Sequence, residues 1–127
     1  MTVTLNHTIV GAQDPEATAT FFTEVLGLAP AKHFGPFHVV EVGNGVSLDV
    51  AGSTGDVAPQ HYAFLVDETE FDQIYGRIRE RDLDHWADPR QSRPGEVNHN
   101  HGGRGVYFLD PNGHYLEILT VPYGGWS

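Results

Sequence analysis

The strongest constraint in this sequence is that one pattern is written twice. A turn at Gly43-Asn44-Gly45 separates Val39–Val42 from Val46–Val50, and a turn at Asp110-Pro111-Asn112-Gly113 separates Val106–Leu109 from His114–Leu119. Asn-Gly and Asp-Pro-Asn-Gly between apolar runs are hairpin signals. Upstream of the first hairpin, the β-prone run Leu5–Val10 precedes Asp14-Pro15-Glu16, which suits a helix N-cap, first turn and macrodipole. Ala17, Phe21, Val25 and Leu28 then share one helical face, and Gly27 offers a stop. Upstream of the second hairpin, Gln60–Val66 reads as a strand and Asp67-Glu68-Thr69-Glu70 as a variant capping box. Phe71, Ile74, Tyr75 and Ile78 follow at amphipathic spacing. The expected fold is therefore α+β, with two βαβββ modules over 1–55 and 56–127 of one domain.

Aligning the hairpin glycines sets Asp49 opposite Glu117, and aligning the first strands sets His7 opposite His61. Strand parity puts Glu117 on a face with Tyr115 and Leu119, away from Leu116 and Ile118, and Asp49 with Ser47, away from Leu48 and Val50. Helices must cover the apolar faces, so these four polar residues point to the concave side of each sheet. Two histidines and one or two carboxylates converging in one cavity suit a divalent cation: Fe(II), Mn, Ni, Co or Zn. The histidines are 54 residues apart and the carboxylates 68, so the second module holds 14 extra residues. They fit the aperiodic stretch Asp88–Arg104, a length of loop that is usually functional or disordered. Arg90, Arg93 and Arg104 in it suggest a cationic lip with Arg104 binding substrate, and Gly95, Gly102 and Gly103 suggest a movable gate. Phe34, Phe37, Tyr62, Phe64, Trp86 and Trp126 are pocket candidates, although most aromatics in a domain this size are core.

Composition removes other classes. Among 127 residues, 17 Asp and Glu face 7 Lys and Arg, a formal net charge of −10, which argues against a nucleic-acid partner. The absence of cysteine excludes disulfides and thiolate chemistry. No apolar run approaches the ~20 residues of a membrane span, and the start MTVTLNH lacks signal-peptide character, so a cytoplasmic protein is expected.

The paired modules with His7, His61 and Glu117 resemble the vicinal oxygen chelate superfamily, which includes glyoxalase I, extradiol dioxygenases, fosfomycin-modifying enzymes and bleomycin-binding proteins. Val97-Asn98-His99 followed by Val106-Tyr107 and Asp110-Pro111-Asn112-Gly113-His114-Tyr115-Leu116-Glu117 is similar to the extradiol signature. The resemblance implies curved mixed sheets around a metal-centred cavity. It implies a facial triad of His7, His61 and Glu117, with three positions left for two substrate oxygens and dioxygen. Tyr107 and His99 would be catalytic donors beside the metal. Two features differ from the extradiol pattern. Ser53–Gln60 holds no acid–base histidine, and Asp49 resembles the fourth protein ligand of glyoxalase I.

The expected function is metal-dependent catalysis on a small molecule offering two adjacent oxygens. An Fe(II) extradiol-type dioxygenase leads, with Ni, Co, Zn and Mn as other metals. A glyoxalase-like isomerase or lyase is the first alternative, and a metal-free drug- or metabolite-binding protein the second. Because each module leaves its concave face open, two modules must pair to close a cavity, and a homodimer is expected.

Overall fold

The computed structural model describes residues 3–125, so Trp126 lies outside the described residues. The chain divides between Ala58 and Pro59 into two compact units. The first contains β1 (His7–Ala12), α1 (Pro15–Leu26), β2 (Lys32–Phe34), β3 (Phe37–Glu41) and β4 (Ser47–Gly52). The second contains β5 (His61–Leu65), α2 (Glu68–Glu80), β6 (His85–Trp86), β7 (Gly105–Leu109) and β8 (Tyr115–Leu119). Each forms a four-stranded mixed sheet with its first strand parallel to its last, in the orders β1-β4-β3-β2 and β5-β8-β7-β6. The βαβββ duplication is therefore present, strand for strand.

Local chemistry starts and stops the helices where the sequence says. Asp14 caps α1 by accepting from the Ala17 amide, Pro15 occupies the first turn, and Gly27 ends it in the left-handed region at φ 73°. Asp67 and Glu70 close a reciprocal capping box on α2, at 2.7 and 2.9 Å. The second hairpin is locked by Asp110, whose carboxylate accepts from the amides of Asn112 and His114. In the first, Asn44 takes the left-handed conformation that the turn needs.

The core follows the apolar face of each element. In the second unit Phe71, Ile74 and Ile78 of α2 and Val106, Phe108, Leu116 and Ile118 of the sheet are all buried. In the first, Val10, Ala12, Val40, Leu48 and Val50 lie under α1. The buried stripe of α1 differs from the expected one. Ala19, Phe22 and Val25 are buried with Thr18 and Thr23, whereas Ala17 is exposed and Phe21 and Leu28 are half-buried. Phe21 instead meets Phe22 edge-on, with ring centroids 6.2 Å apart. Adjacent phenylalanines offer two stripes. The small Ala19 and the threonines decided the face, because they let the helix approach the sheet closely.

The stretch Asp88–Arg104 is anchored at several points. Asp88 accepts from the amides of Ser92 and Arg93 and from the Ser92 hydroxyl, at 2.6–3.0 Å, which holds its carboxyl below the usual range. Asn98 is buried, donates to the Ala87 carbonyl at 2.8 Å and pairs with Gly105. A Cβ on Gly103 would lie 2.6 Å from Thr120 Oγ1, so this glycine exists for close packing. The cationic lip is largely neutralised. Arg93 pairs with Glu96 at 3.3 Å, and Arg104 reaches Glu68 and Asp72 of α2 at 2.8 Å each while lying over Phe71 at 4.3 Å. Arg104 thus ties the start of β7 to α2.

Two outcomes follow from this packing. Phe22→Ala should cost about 3–5 kcal/mol in urea unfolding and Phe21→Ala clearly less; equal losses would restore the Phe21 stripe. Arg104→Ala should cost about 1–2 kcal/mol through the lost clamp and ring contact. An unchanged unfolding midpoint would show that the clamp holds nothing.

Candidate functional site

Glu117 is the anomaly from which the site is built. It lies on the β8 face opposite Leu116 and Ile118, the face expected to be open, yet it is only 2 % exposed. Strand pairing sets Ala63 on one side of it and Tyr107 on the other. A carboxylate there needs partners, because an unpaired buried charge is costly. Tyr123, from the 3-10 turn Tyr123–Gly125, places its hydroxyl 2.5 and 2.7 Å from the two carboxylate oxygens. The phenol gives its one proton to Glu117, so in its 3.2 Å contact with the Tyr107 hydroxyl it is Tyr107 that donates. Burial first, with the nearby Glu117 charge adding to it, pushes both phenols well above their ordinary pKa. Both are therefore protonated donors at neutral pH.

The second partner is His61, half-exposed at the start of β5. Its Nδ1 lies 3.0 Å from the Tyr115 carbonyl, which can only accept, so Nδ1 carries a proton. Its Nε2 lies 3.2 Å from Glu117 Oε1. A neutral ring with Nδ1–H would turn a lone pair toward an anionic oxygen, and two acceptors do not bond. Either a second proton or a cation must stand between them. With metal–ligand bonds of ~2.1 Å, a 3.2 Å separation corresponds to an angle of roughly 100° at the ion, compatible with neighbouring coordination positions. An Nδ1–H donated to a carbonyl is also the usual way a ligating histidine is oriented. The donor set, one imidazole and one carboxylate, fits a divalent ion of the Fe, Mn, Co, Ni or Zn class. Tyr107, ring centroid 6.2 Å away and nearly parallel, and Tyr115, edge-on at 6.5 Å, wall the imidazole.

Among the described residues no group of three His, Asp or Glu side chains is gathered, so within its unit the pair supplies two ligands. His7 and Asp49 are in the first unit and repeat the arrangement position by position. His7 pairs with Ser47 as His61 pairs with Tyr115, and Asp49 pairs with Ile9 as Glu117 pairs with Ala63. His7 Nδ1 likewise meets an oxygen, Asn6 Oδ1 at 2.8 Å, and is the donor there. Asp49 is half-buried and accepts from the Ser47 hydroxyl at 2.8 Å.

The structure brings Tyr107 to Glu117, as the motif suggested, but not His99. His99 is exposed at the entry of the turn Asn100–Gly102. The histidine near this network is His101, in the left-handed conformation at φ 56°, with its ring 6.3 Å from Tyr123. His101, Tyr123 and Glu117 line one small pocket, and Arg104 lines it too while committed to α2. Tyr123 was missed by sequence reasoning. It follows the last strand with no periodicity around it, and only its distance from Glu117 reveals it.

Residues 4–118 match the profile of the Glyoxalase/Bleomycin resistance protein/Dioxygenase superfamily. The solved structure of Oxidase ChaP-H1 superposes with TM-score 0.95 at 67 % identity, covering 97 % of this chain and 99 % of that one. Oxidase ChaP-H2 does so with TM-score 0.96 at 62 % identity, covering 98 % of each. A glutathione transferase FosA of Serratia marcescens is 29 % identical over 93 % of this chain and 81 % of its own. With its duplicated βαβββ units and a profile match across nearly its whole length, the chain belongs to the glyoxalase/bleomycin resistance/dioxygenase superfamily.

Proposed function

We propose that this protein is a metal-dependent dioxygenase of the extradiol type, acting on a small molecule with two adjacent oxygens. The observation that carries the reading is the 3.2 Å approach of His61 Nε2 to Glu117 Oε1 with Nδ1–H already taken. His61 and Glu117 would hold one divalent cation, Fe(II) before Ni, Co, Zn or Mn, with His7 as third ligand. The likeness to two oxidases at 67 % and 62 % identity supports oxygen chemistry over isomerisation. A bound Fe(II) would supply a Lewis acid and a redox partner for dioxygen.

The chain's own groups would do the rest. Tyr107, its ring 6.2 Å from that of His61, would turn its proton from Tyr123 to an oxygen of the bound substrate. His101, its ring 6.3 Å from that of Tyr123, would take the donor's part that the resemblance gave to His99. The open strand face of the second unit, where Leu65 is 59 % exposed, would give an apolar wall for a substrate ring. Closing that face by pairing units, in a homodimer, would exclude water from the site. Among the described residues no helix is long and apolar enough to cross a membrane.

A second reading is favoured by one observation, the equivalence of Asp49 to Glu117 in register. Were Asp49 a fourth ligand, two positions would remain and a glyoxalase-like isomerase or lyase would follow. Metal content after anaerobic loading separates the readings. Glu117→Ala and His61→Ala should lose the metal. Asp49→Ala should weaken it no more than ~10–100-fold if Asp49 acts through another ligand. Retained metal in Asp49→Ala, with Fe(II)-dependent oxygen uptake on catechols that fails in Tyr107→Phe, is the expected result. Loss of metal in Asp49→Ala, with activity under Ni or Co and no oxygen uptake, would replace the dioxygenase by the isomerase. No change of metal content in any variant would leave the metal-free binding protein.

A further inference from the structure

We infer that Tyr123 sets the denticity of Glu117, and through it the number of coordination positions left for substrate. The inference rests on the metal reading above and adds a positioning residue to it. The Tyr123 hydroxyl is nearly equidistant from the two carboxylate oxygens, at 2.5 and 2.7 Å. That is where an ion chelated by both oxygens would sit. A metal shared with His61 must then approach Oε1 from the imidazole side, where Nε2 already stands 3.2 Å away. Glu117 is left able to give one oxygen only, because the Tyr123 hydroxyl fills the place between its two oxygens.

Three features keep the phenol in place. Tyr107 donates to its oxygen at 3.2 Å, so its own proton is directed at Glu117. The Gly124 amide, next along the turn, approaches His101 Nε2 at 3.4 Å. The chain leading to the turn passes over Gly103, where any side chain would collide with Thr120 and Val121. Glu117 is also too buried to turn away toward water. An octahedral ion held by one oxygen of Glu117 keeps one more position open for substrate than an ion chelated by both.

Mn(II) is the probe, because water relaxation counts its exchangeable waters without any turnover. Tyr123→Phe should hold one water fewer than Mn(II)-loaded wild type, with a matching fall in inner-sphere relaxivity as one position is taken up. Tyr107→Phe, which leaves the Tyr123 proton on Glu117, should keep the wild-type number. Infrared difference spectra of loaded wild type should show the widely split carboxylate bands of a monodentate ligand. Equal water counts in wild type and Tyr123→Phe would overturn the inference. So would loss of Mn(II) from Tyr123→Phe, or bidentate bands in the wild type whatever the variant does. Should Glu117→Gln bind Mn(II) as tightly as wild type, the metal reading itself fails and the inference with it. If Glu117→Gln loses Mn(II) while Tyr123→Phe keeps the wild-type number of waters, only the inference fails.

Discussion

Because the Tyr115 carbonyl accepts the proton of His61 Nδ1, the other ring nitrogen can meet Glu117 only through a second proton or a cation. Neither partner has an easy escape. The carbonyl belongs to β8, in the register that also carries Glu117 two residues on, and β5 is held parallel to that strand along its length. The contact is thus a product of strand pairing rather than of flexible side chains finding each other. Parallel pairing of first and last strands in each unit is what sets it, and the crossover helix is what permits it.

The rest of the site reads as the environment such a contact requires. A carboxylate at 2 % exposure is unfavourable unless its oxygens are satisfied, and Tyr123 with Tyr107 behind it supplies the donors. The same burial keeps those phenols protonated, which makes them dependable donors across the neutral range. The long connection from β6 to β7 brings His101 to this pocket, and its buried anchors, Asn98 and Gly103, fix it. Arg104 then belongs to the frame of the pocket, since Glu68 and Asp72 occupy its guanidinium.

What could be read from the amino-acid order was what local rules decide. Hairpin turns and the period-2 alternation fixed strand parity, so Glu117 and Asp49 fell on the faces the structure gives them, and His7 and His61 took equivalent positions. Capping at Asp14 and Asp67 is equally local. What failed depended on tertiary partners. Arg104 read as a free cation because its acids lie 36 and 32 residues earlier, on a helix whose placement no periodicity reveals. Phe21 and Phe22 could not be ranked without knowing which neighbours were small enough to let α1 settle. Tyr123 and His101 are invisible to spacing rules because each sits in a short irregular turn. The motif pointed to His99, two residues from the histidine that reaches the pocket.

The central claim is that the gap between His61 Nε2 and Glu117 Oε1 is a seat for a metal ion and not merely a protonated ion pair. Anomalous diffraction from crystals loaded anaerobically with Fe(II), recorded on either side of the iron edge, tests it most directly. A peak within ~2.0–2.3 Å of both atoms, with His61 Nδ1 still on the Tyr115 carbonyl, is the predicted result. Iron bound elsewhere, or none at all with the 3.2 Å contact unchanged, would contradict it.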